Sequence, residues 1–472
     1  MSNHFDSIVI GAGQAGPSLA GRLTGAGQRI AFVERKLFGG TCVNTGCIPT
    51  KTLVASAYAA HLARRAADFG VQIKSDIRVD MKAVKARKDA ISGKSRVGVE
   101  EWLRGMNNCT VYHQQARFRS AHEVQVEDDL LTADRIFINV GGRATIPDMP
   151  GVHDVPYLVN STVLDLDELP PHLVVIGGSY IGLEFAQMYR RFGSEVTVVE
   201  QGPRLVQHED EDVAASIKEI LEAEGIGIRL NAKCIAFEKG NSGKVEESIA
   251  VHVTCDIGEP KLHGSHVLLA VGRTPNTADL GLDAAGVETD ERGYIRVDDQ
   301  LRTSVPHIFA LGDCNGQGAF THTSYNDFEI VAANLLDANS PDYVPRRVSD
   351  RIHAHALYID PPLGQIGMTE AQVREQVRKS GRPALMATRP MTKVGRAVEK
   401  GESQGFMKIL VDAESKKILG ASILGVGGDE AIHCILDVMY SGKTYTTLQR
   451  AMHIHPTVSE LIPTLLGDLK PL

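Results

Sequence analysis

Two glycine-rich turns, each set between a short apolar run and an amphipathic stretch, constrain this chain more than any other feature. In "DSIVIGAGQAGPSLAGRL" a buried strand over residues 6–10 leads into Gly11, Gly13 and Gly16 and then a helix from about Gln14. "RIAFVE" follows as a second strand ending at Glu34. "HLVVIGGSYIGLEFAQMYRRFGSEVTVVE" repeats the plan with Gly177, Gly178 and Gly182 and a strand ending at Glu200. Such glycines allow a tight turn, close backbone approach to a pyrophosphate and close helix-to-strand packing, and the helix start offers free amides to the anion. A lone glycine turn between strand and helix is weak evidence, because α/β proteins that bind no dinucleotide also have them. Here strand, helix and spaced acid occur together, twice.

The second copy has Ser179 where the first has its middle glycine. Glu200 is placed to accept from a ribose 2′-hydroxyl and to repel a 2′-phosphate, which favours NADH over NADPH. Arg204 nearby argues the other way, and the competing reading of Glu200 is a solvated strand-end acid.

The 472 residues suffice for several domains, and the net charge of −8 comes without a long run of one sign. Nucleic acid and anionic membrane are disfavoured as partners. No apolar run reaches the length of a membrane span, and the opening "MSNHFDSIVIGAG" does not read as a secretion signal, so a cytoplasmic protein is expected.

Seven cysteines are an odd, sparse set for a secreted scaffold. Cys109, Cys234, Cys255, Cys314 and Cys434 stand singly and read as inert thiols. Cys42 and Cys47 do not, lying together in "GGTCVNTGCIPTK". A helix entered at Pro49 would place Cys47 just before its N-terminus, where dipole and free amides stabilise a thiolate. A static disulfide or half a zinc site is the competing reading; a zinc site would want a second ligand pair, and no Cys-x-x-Cys or comparably spaced Cys/His set appears elsewhere. Near the C-terminus "HIHPTVSE" brings His453 and His455 before Glu460. A carboxylate that orients an imidazole makes an acid/base partner for a thiol, although a histidine there also suits a cap or a surface position.

Between the glycine turns lie an amphipathic helix at about 80–105 and a strand-rich segment at about 110–140. "TSVPHIFALGDCNGQGAFTHTSYNDFEIVAANLL" reads as strand, Gly-Asp turn and helix. After "PDYVPRR" come a hairpin turning at "AESK" and helices at about 429–441 and 457–466.

Taken together, "GGTCVNTGCIPTK", "AVGRTPN" (with Gly272 and Arg273), "FALGD" (with Gly312 and Asp313) and "HPTVSE" resemble, in order and over essentially the whole chain, the class I pyridine nucleotide-disulfide oxidoreductases. Lipoamide dehydrogenase, glutathione reductase and mercuric reductase belong to this group. The resemblance implies an α/β fold of two Rossmann-like dinucleotide-binding domains plus a C-terminal α+β dimerisation domain. Its implied boundaries are 1–150 for the first part of the FAD domain, 151–276 for the NAD domain, 277–344 for the second FAD and central part, and 345–472 for the interface domain. It implies FAD and NAD(H) as cofactors, NADP(H) being disfavoured, and a homodimer whose subunits share the active site, with no resident metal.

By resemblance, Cys47 is the flavin-proximal thiol and Cys42 the interchange thiol. His455 is the base, contributed by the opposite subunit, and Glu460 orients it. Lys51 lies near flavin N5 with Glu184 as its ion-pair partner, Asp313 binds the ribityl chain, and the helix from about Thr321 faces the flavin's pyrimidine end. Tyr180 matches the tyrosine that covers the nicotinamide pocket in glutathione reductase, where lipoamide dehydrogenases usually carry an aliphatic residue.

The implied acceptor is a small disulfide or a metal ion. "PTKTLV", "FTHTSYNDFEIV" and "PPLGQIGMTE" resemble mercuric-reductase-like proteins and a copper-reducing flavoprotein of bacterial reactive-chlorine resistance. The chain departs from mercuric reductases in ending "GDLKPL" without a vicinal cysteine pair, in keeping His455 where they usually have tyrosine, and in lacking an N-terminal Cys-x-x-Cys domain. The remaining alternatives are a lipoamide dehydrogenase, which Tyr180 opposes, and a redox-sensing flavoprotein whose dithiol switches a protein partner.

Overall fold

The computed structural model describes residues 3–233, 235–240, 248–254 and 260–472. Cys234 and Cys255, two of the single cysteines, lie outside these residues.

The first sheet is built on β1 (His4–Ile10), which ends in the apolar run Ile8, Val9 and Ile10, the first two wholly buried. Such a run suits a parallel strand covered on both faces. Parallel to it lie β2 (Ile30–Val33) on one side and β6 (Asp129–Ile138) on the other, with β3 (Cys109–Tyr112) beyond β2. The strands β4 (Ala116–Phe118) and β5 (Glu123–Val126) extend the sheet antiparallel past β6. The strand Ile308–Ala310 also pairs with β6, so a late segment returns to complete the first sheet.

Helix α1 (Ala15–Gly25) follows the first glycine turn. Gly11 holds φ +105°, and a Cβ there would meet the Asn139 carbonyl oxygen at 2.3 Å, so only glycine lets β1 and β6 close this tightly. Gly177 repeats the geometry at φ +111° in a second parallel sheet of His172–Ile176, Glu195–Val199, Gly227–Arg229 and His266–Leu269. The two glycine turns are structural as well as sequence copies.

Two further helices carry the paired cysteines: α2 (Gly40–Asn44) holds Cys42 and α3 (Cys47–Arg64) begins at Cys47. Sequence placed the helix start at Pro49; it begins two residues earlier because proline needs no donor in a first turn, and Pro49 therefore sits inside the helix. The long amphipathic helix is α4 (Met81–Arg104), capped by the Asp80 carboxylate, which accepts from the Ala83 amide at 3.1 Å. In the second nucleotide-binding unit α5 (Tyr180–Phe192) follows Ser179, and α6 (Glu211–Ala223) packs nearby.

The C-terminal region forms a six-stranded antiparallel sheet, with the hairpin Phe406–Asp412 and Ile418–Leu424 at its centre, backed by helix Gly428–Tyr440. The helix expected at about 457–466 is instead a tight turn at Ser459–Leu461 followed by helix Ile462–Gly467 with Pro463 in its first turn. A buried lysine ties this region to α6: the Lys408 ammonium lies 2.9 Å from Asp210, 2.7 Å from Asp212 and 3.1 Å from Glu370. Those three acids come close enough to hold a cation, and the ammonium sits between them.

Candidate active site

A cleft of about 2210 Å³ runs where the three regions meet. Drug-sized ligand pockets are roughly 300–1,000 Å³, so this one has room for a dinucleotide and more. Gly11, Gly13, Glu34, Asp313, Lys51 and both cysteines are on its walls. Gly40 seats the cysteine segment against the first glycine turn: a Cβ there would lie 2.7 Å from the Gly13 Cα, and φ is +61°.

The acids that close each βαβ unit brace the turn they face. Glu34 accepts from the Ala12 amide at 2.8 Å and the Lys36 amide at 2.7 Å. Glu200 accepts from Gly178 and Gly202, each at 2.7 Å, and from Gln207 at 2.9 Å. A carboxylate has about four acceptor positions, so these bonds leave capacity for ribose hydroxyls. Arg204 is turned to Glu211 at 3.1 Å and to the Gln207 carbonyl at 3.0 Å. Glu200 and the second set of glycines lie outside the cleft walls, whereas Tyr180 at the start of α5 is on them.

Both cysteines are present as thiols. Cys47 opens α3, and its sulfur lies 3.0 Å from the hydroxyl of Thr321, the first residue of helix Thr321–Leu336. One sulfur therefore sits at two helix N-termini, where partial positive charge collects. The Cys42 S–H, the Thr321 hydroxyl and the Lys51 charge together pull the Cys47 thiol down to about 6 against the opposing effect of burial. Cys42 moves up, because it donates to Cys47 and is itself desolvated beside that negative charge. Their contact thus favours the thiol at Cys42 and the thiolate at Cys47. By contrast burial raises Cys109 to about 11 and Cys314 to about 12, and it raises Cys434 as well, which keeps these three protonated.

Lys51, one turn into α3, lies 2.7 Å from Glu184 on α5 and 4.6 Å from the centre of the Tyr358 ring. The other Glu184 oxygen accepts from the Tyr358 amide at 3.0 Å. Three regions of the chain meet at this one carboxylate. Arg273 lies 3.2 Å from Asp313 and donates to the Gly142 carbonyl at 2.7 Å, which joins the segment around Gly272 to the Gly312–Asp313 turn. His455 Nδ1 is 2.9 Å from Glu460, but the imidazole is 80% exposed and lies outside the cleft walls of its own chain. Met452 and Ile454 beside it are 99% and 80% exposed.

Several contributors were not legible in the sequence. Asp327 is completely buried, accepts from the Gly312 amide at 2.7 Å and from Asn315 at 2.9 Å, and pairs with Arg351. It fixes the Gly-Asp turn, and its only sequence signal is an acid on the apolar face of "SYNDFEIV". Glu209 and His355, considered below, gave no local signal.

These features define a flavin- and nicotinamide-linked dithiol enzyme, and comparison with known proteins agrees. Residues 5–327 match the model of the pyridine nucleotide-disulphide oxidoreductases, and residues 353–466 match the dimerisation domain of that family. The chain belongs to this family, and is thus an oxidoreductase that depends on FAD and a pyridine nucleotide. It is 35% identical to the probable pyridine nucleotide-disulfide oxidoreductase RclA of Escherichia coli, over 99% of this chain and 100% of that protein. A dihydrolipoyl dehydrogenase of Thermus scotoductus is 32% identical over 97% of this chain and 95% of its own length. A mercuric reductase of Streptomyces lividans is 31% identical, over 97% and 94% respectively. Among solved structures, the HOCl-induced flavoprotein disulfide reductase RclA superposes with a TM-score of 0.85 at 34% identity, covering 98% of this chain and 99% of that one. Its Cu(II) complex gives 0.84 at the same identity and coverage. Among the described residues no helix is long and apolar enough to cross a membrane.

Proposed function

We propose that the protein is an NADH-driven, cytoplasmic homodimeric reductase that passes electrons through FAD to the Cys42–Cys47 disulfide and on to a small disulfide. The observation that carries this reading is the placement of the cysteine pair on the cleft wall, with the Cys47 sulfur at the start of two helices and 3.0 Å from the Thr321 hydroxyl. Gly11, Gly13, Gly16, Glu34, Gly312 and Asp313 would hold FAD: the glycine turn admits no side chain, and the cleft beside it is large enough for a dinucleotide. Bound FAD supplies the two-electron path between reduced nicotinamide and the cysteine disulfide. Gly177, Gly178 and Gly182 would receive the nucleotide pyrophosphate, and Glu200 the ribose, which favours NADH.

Once reduced, Cys42 attacks one sulfur of the acceptor and forms a mixed disulfide, and the departing thiolate takes up a proton. The Cys47 thiolate then attacks Cys42, releasing the second thiolate and restoring the disulfide. His455 of the partner subunit is the base for Cys42 and the acid for the leaving group, oriented by Glu460. The exposed Met452 and Ile454 beside it are the apolar surface that a second subunit would cover. Glu184 holds the Lys51 ammonium beside the pair.

A second reading, reduction of a thiol-binding metal ion, is favoured by the Cu(II) complex of the similar E. coli structure. Anaerobic NADH oxidation measured with lipoamide, glutathione disulfide, Cu(II) and Hg(II) separates the two. The proposal expects the highest kcat/KM for a disulfide; a metal preferred with disulfides inert would establish the second reading instead.

A further inference from the structure

A nicotinamide extending from the second glycine turn toward the cysteine pair must pass Tyr180, the first residue of α5 and part of the cleft wall. The phenol donates to Glu209 and lies 3.2 Å from His355 Nε2, and that same nitrogen is 2.8 Å from the same Glu209 oxygen. The ring stands edge-on to Phe320, at 6.2 Å, and to His355, at 5.5 Å. Phe320 in turn lies flat against His355, 5.8 Å away with 9° between planes, and immediately precedes Thr321, which touches Cys47. The contact therefore gathers α5, the loop before α6, the interface strand Ala354–Leu357 and the helix start at the redox thiol.

The Glu209 side chain is only 1% exposed, and its second oxygen is buried with no partner. A buried acceptor left unsatisfied carries a desolvation cost. The closed contact therefore carries a cost that opening, by letting water reach this oxygen, would relieve. Burial first, and then the Glu209 charge, push the Tyr180 phenol upward, so it stays a donor throughout the physiological range.

We infer that Glu209 and His355 are positioning residues that clasp Tyr180 over the nicotinamide side of the cleft and so lower the affinity for pyridine nucleotide. The inference rests on the electron path proposed above. Nucleotide binds the open form, and its apparent affinity falls with the fraction of molecules clasped shut. His355 makes that fraction depend on how the interface region packs against the nucleotide-binding unit.

The test is calorimetric titration of NAD+ into the oxidised, FAD-loaded protein, comparing wild type with Tyr180→Phe, Glu209→Gln and the double variant. Tyr180→Phe keeps the ring and removes only the hydroxyl, so it decides the matter even if Glu209→Gln fails to fold. The clasp predicts a Kd lower by about tenfold for Tyr180→Phe, the scale of one hydrogen bond to a charged group, and a smaller drop for Glu209→Gln, whose amide oxygen still accepts but without the charge. It also predicts no further gain in the double variant over Tyr180→Phe, because without the hydroxyl no contact is left to weaken. Unchanged or weaker binding, or additive gains, would overturn it. If affinities stay unchanged while NADH still reduces wild-type flavin, only the clasp fails; if NADH does not reduce wild-type flavin, the electron path fails with it.

Discussion

Replacing Thr321 by valine keeps the shape of the side chain and removes the hydroxyl 3.0 Å from the Cys47 sulfur. Cys47 is drawn from 9.0 down to about 6, a gap of about 3 pH units. At about 1.4 kcal/mol per unit this is roughly 4 kcal/mol in favour of the thiolate. A hydrogen bond to a charged group is worth about 1.5–3 kcal/mol, so losing one should raise the thiol by at least about one unit, to roughly 7. Cys42→Ala removes the larger donor and should raise it further. The sign is fixed by which form the donors favour: they stabilise the thiolate, so the ionised fraction is lost as pH falls through the Cys47 value, and each variant moves that loss to higher pH. The assay is the pH dependence of iodoacetamide alkylation at Cys47 in the anaerobically reduced protein, read by peptide mass spectrometry. A Thr321→Val midpoint identical to wild type, or a larger effect from Thr321→Val than from Cys42→Ala, would refute the reasoning.

Cys42→Ser should abolish acceptor reduction while leaving FAD bound and slow NADH oxidation by oxygen intact, as absorbance and oxygen-electrode traces would show; full acceptor turnover would rule out the relay. His455→Ala should depress disulfide reduction by about 10²–10⁴-fold, the range for a general acid or base, and metal reduction much less, because a reduced metal ion leaves without a proton. Equal losses in the two assays would remove that distinction. Glu200→Ser should raise the NADPH-to-NADH ratio of kcat/KM by about tenfold, as expected when one like-charge repulsion worth roughly 1.4 kcal/mol is relieved; an unchanged ratio would remove Glu200 from nucleotide selection.

What the sequence showed depended on whether a feature was local. The turn at Gly11 was legible because a strand, a turn without side chains and a helix occupy adjacent residues and impose a spacing. The paired cysteines are legible for the same reason, although the sequence puts the helix entrance at Pro49, which lies inside the first turn. The tight turn at Ser459–Leu461 was missed because apolar periodicity runs through it unchanged. Contacts between distant segments left no mark. Family resemblance marks Tyr180, yet its partner Glu209 precedes α6 in "QHEDED", which reads as a solvated acidic stretch. His355 is separated from Glu209 by 146 positions and meets it only because the interface sheet packs against α5 and α6. His455 and Glu460 formed a legible dyad by proximity alone, and the exposed position of the imidazole in its own chain emerged only with the fold.

Counting thiols on anaerobic reduction addresses the relay itself. Oxidised protein would be alkylated before and after a stoichiometric addition of NADH under argon, in the absence of any acceptor, and its peptides resolved by mass. The account predicts that Cys42 and Cys47 are protected before the addition and both alkylated after it, with Cys314 unchanged. NADH consumed and flavin cycled while Cys42 and Cys47 remain as they were would contradict it.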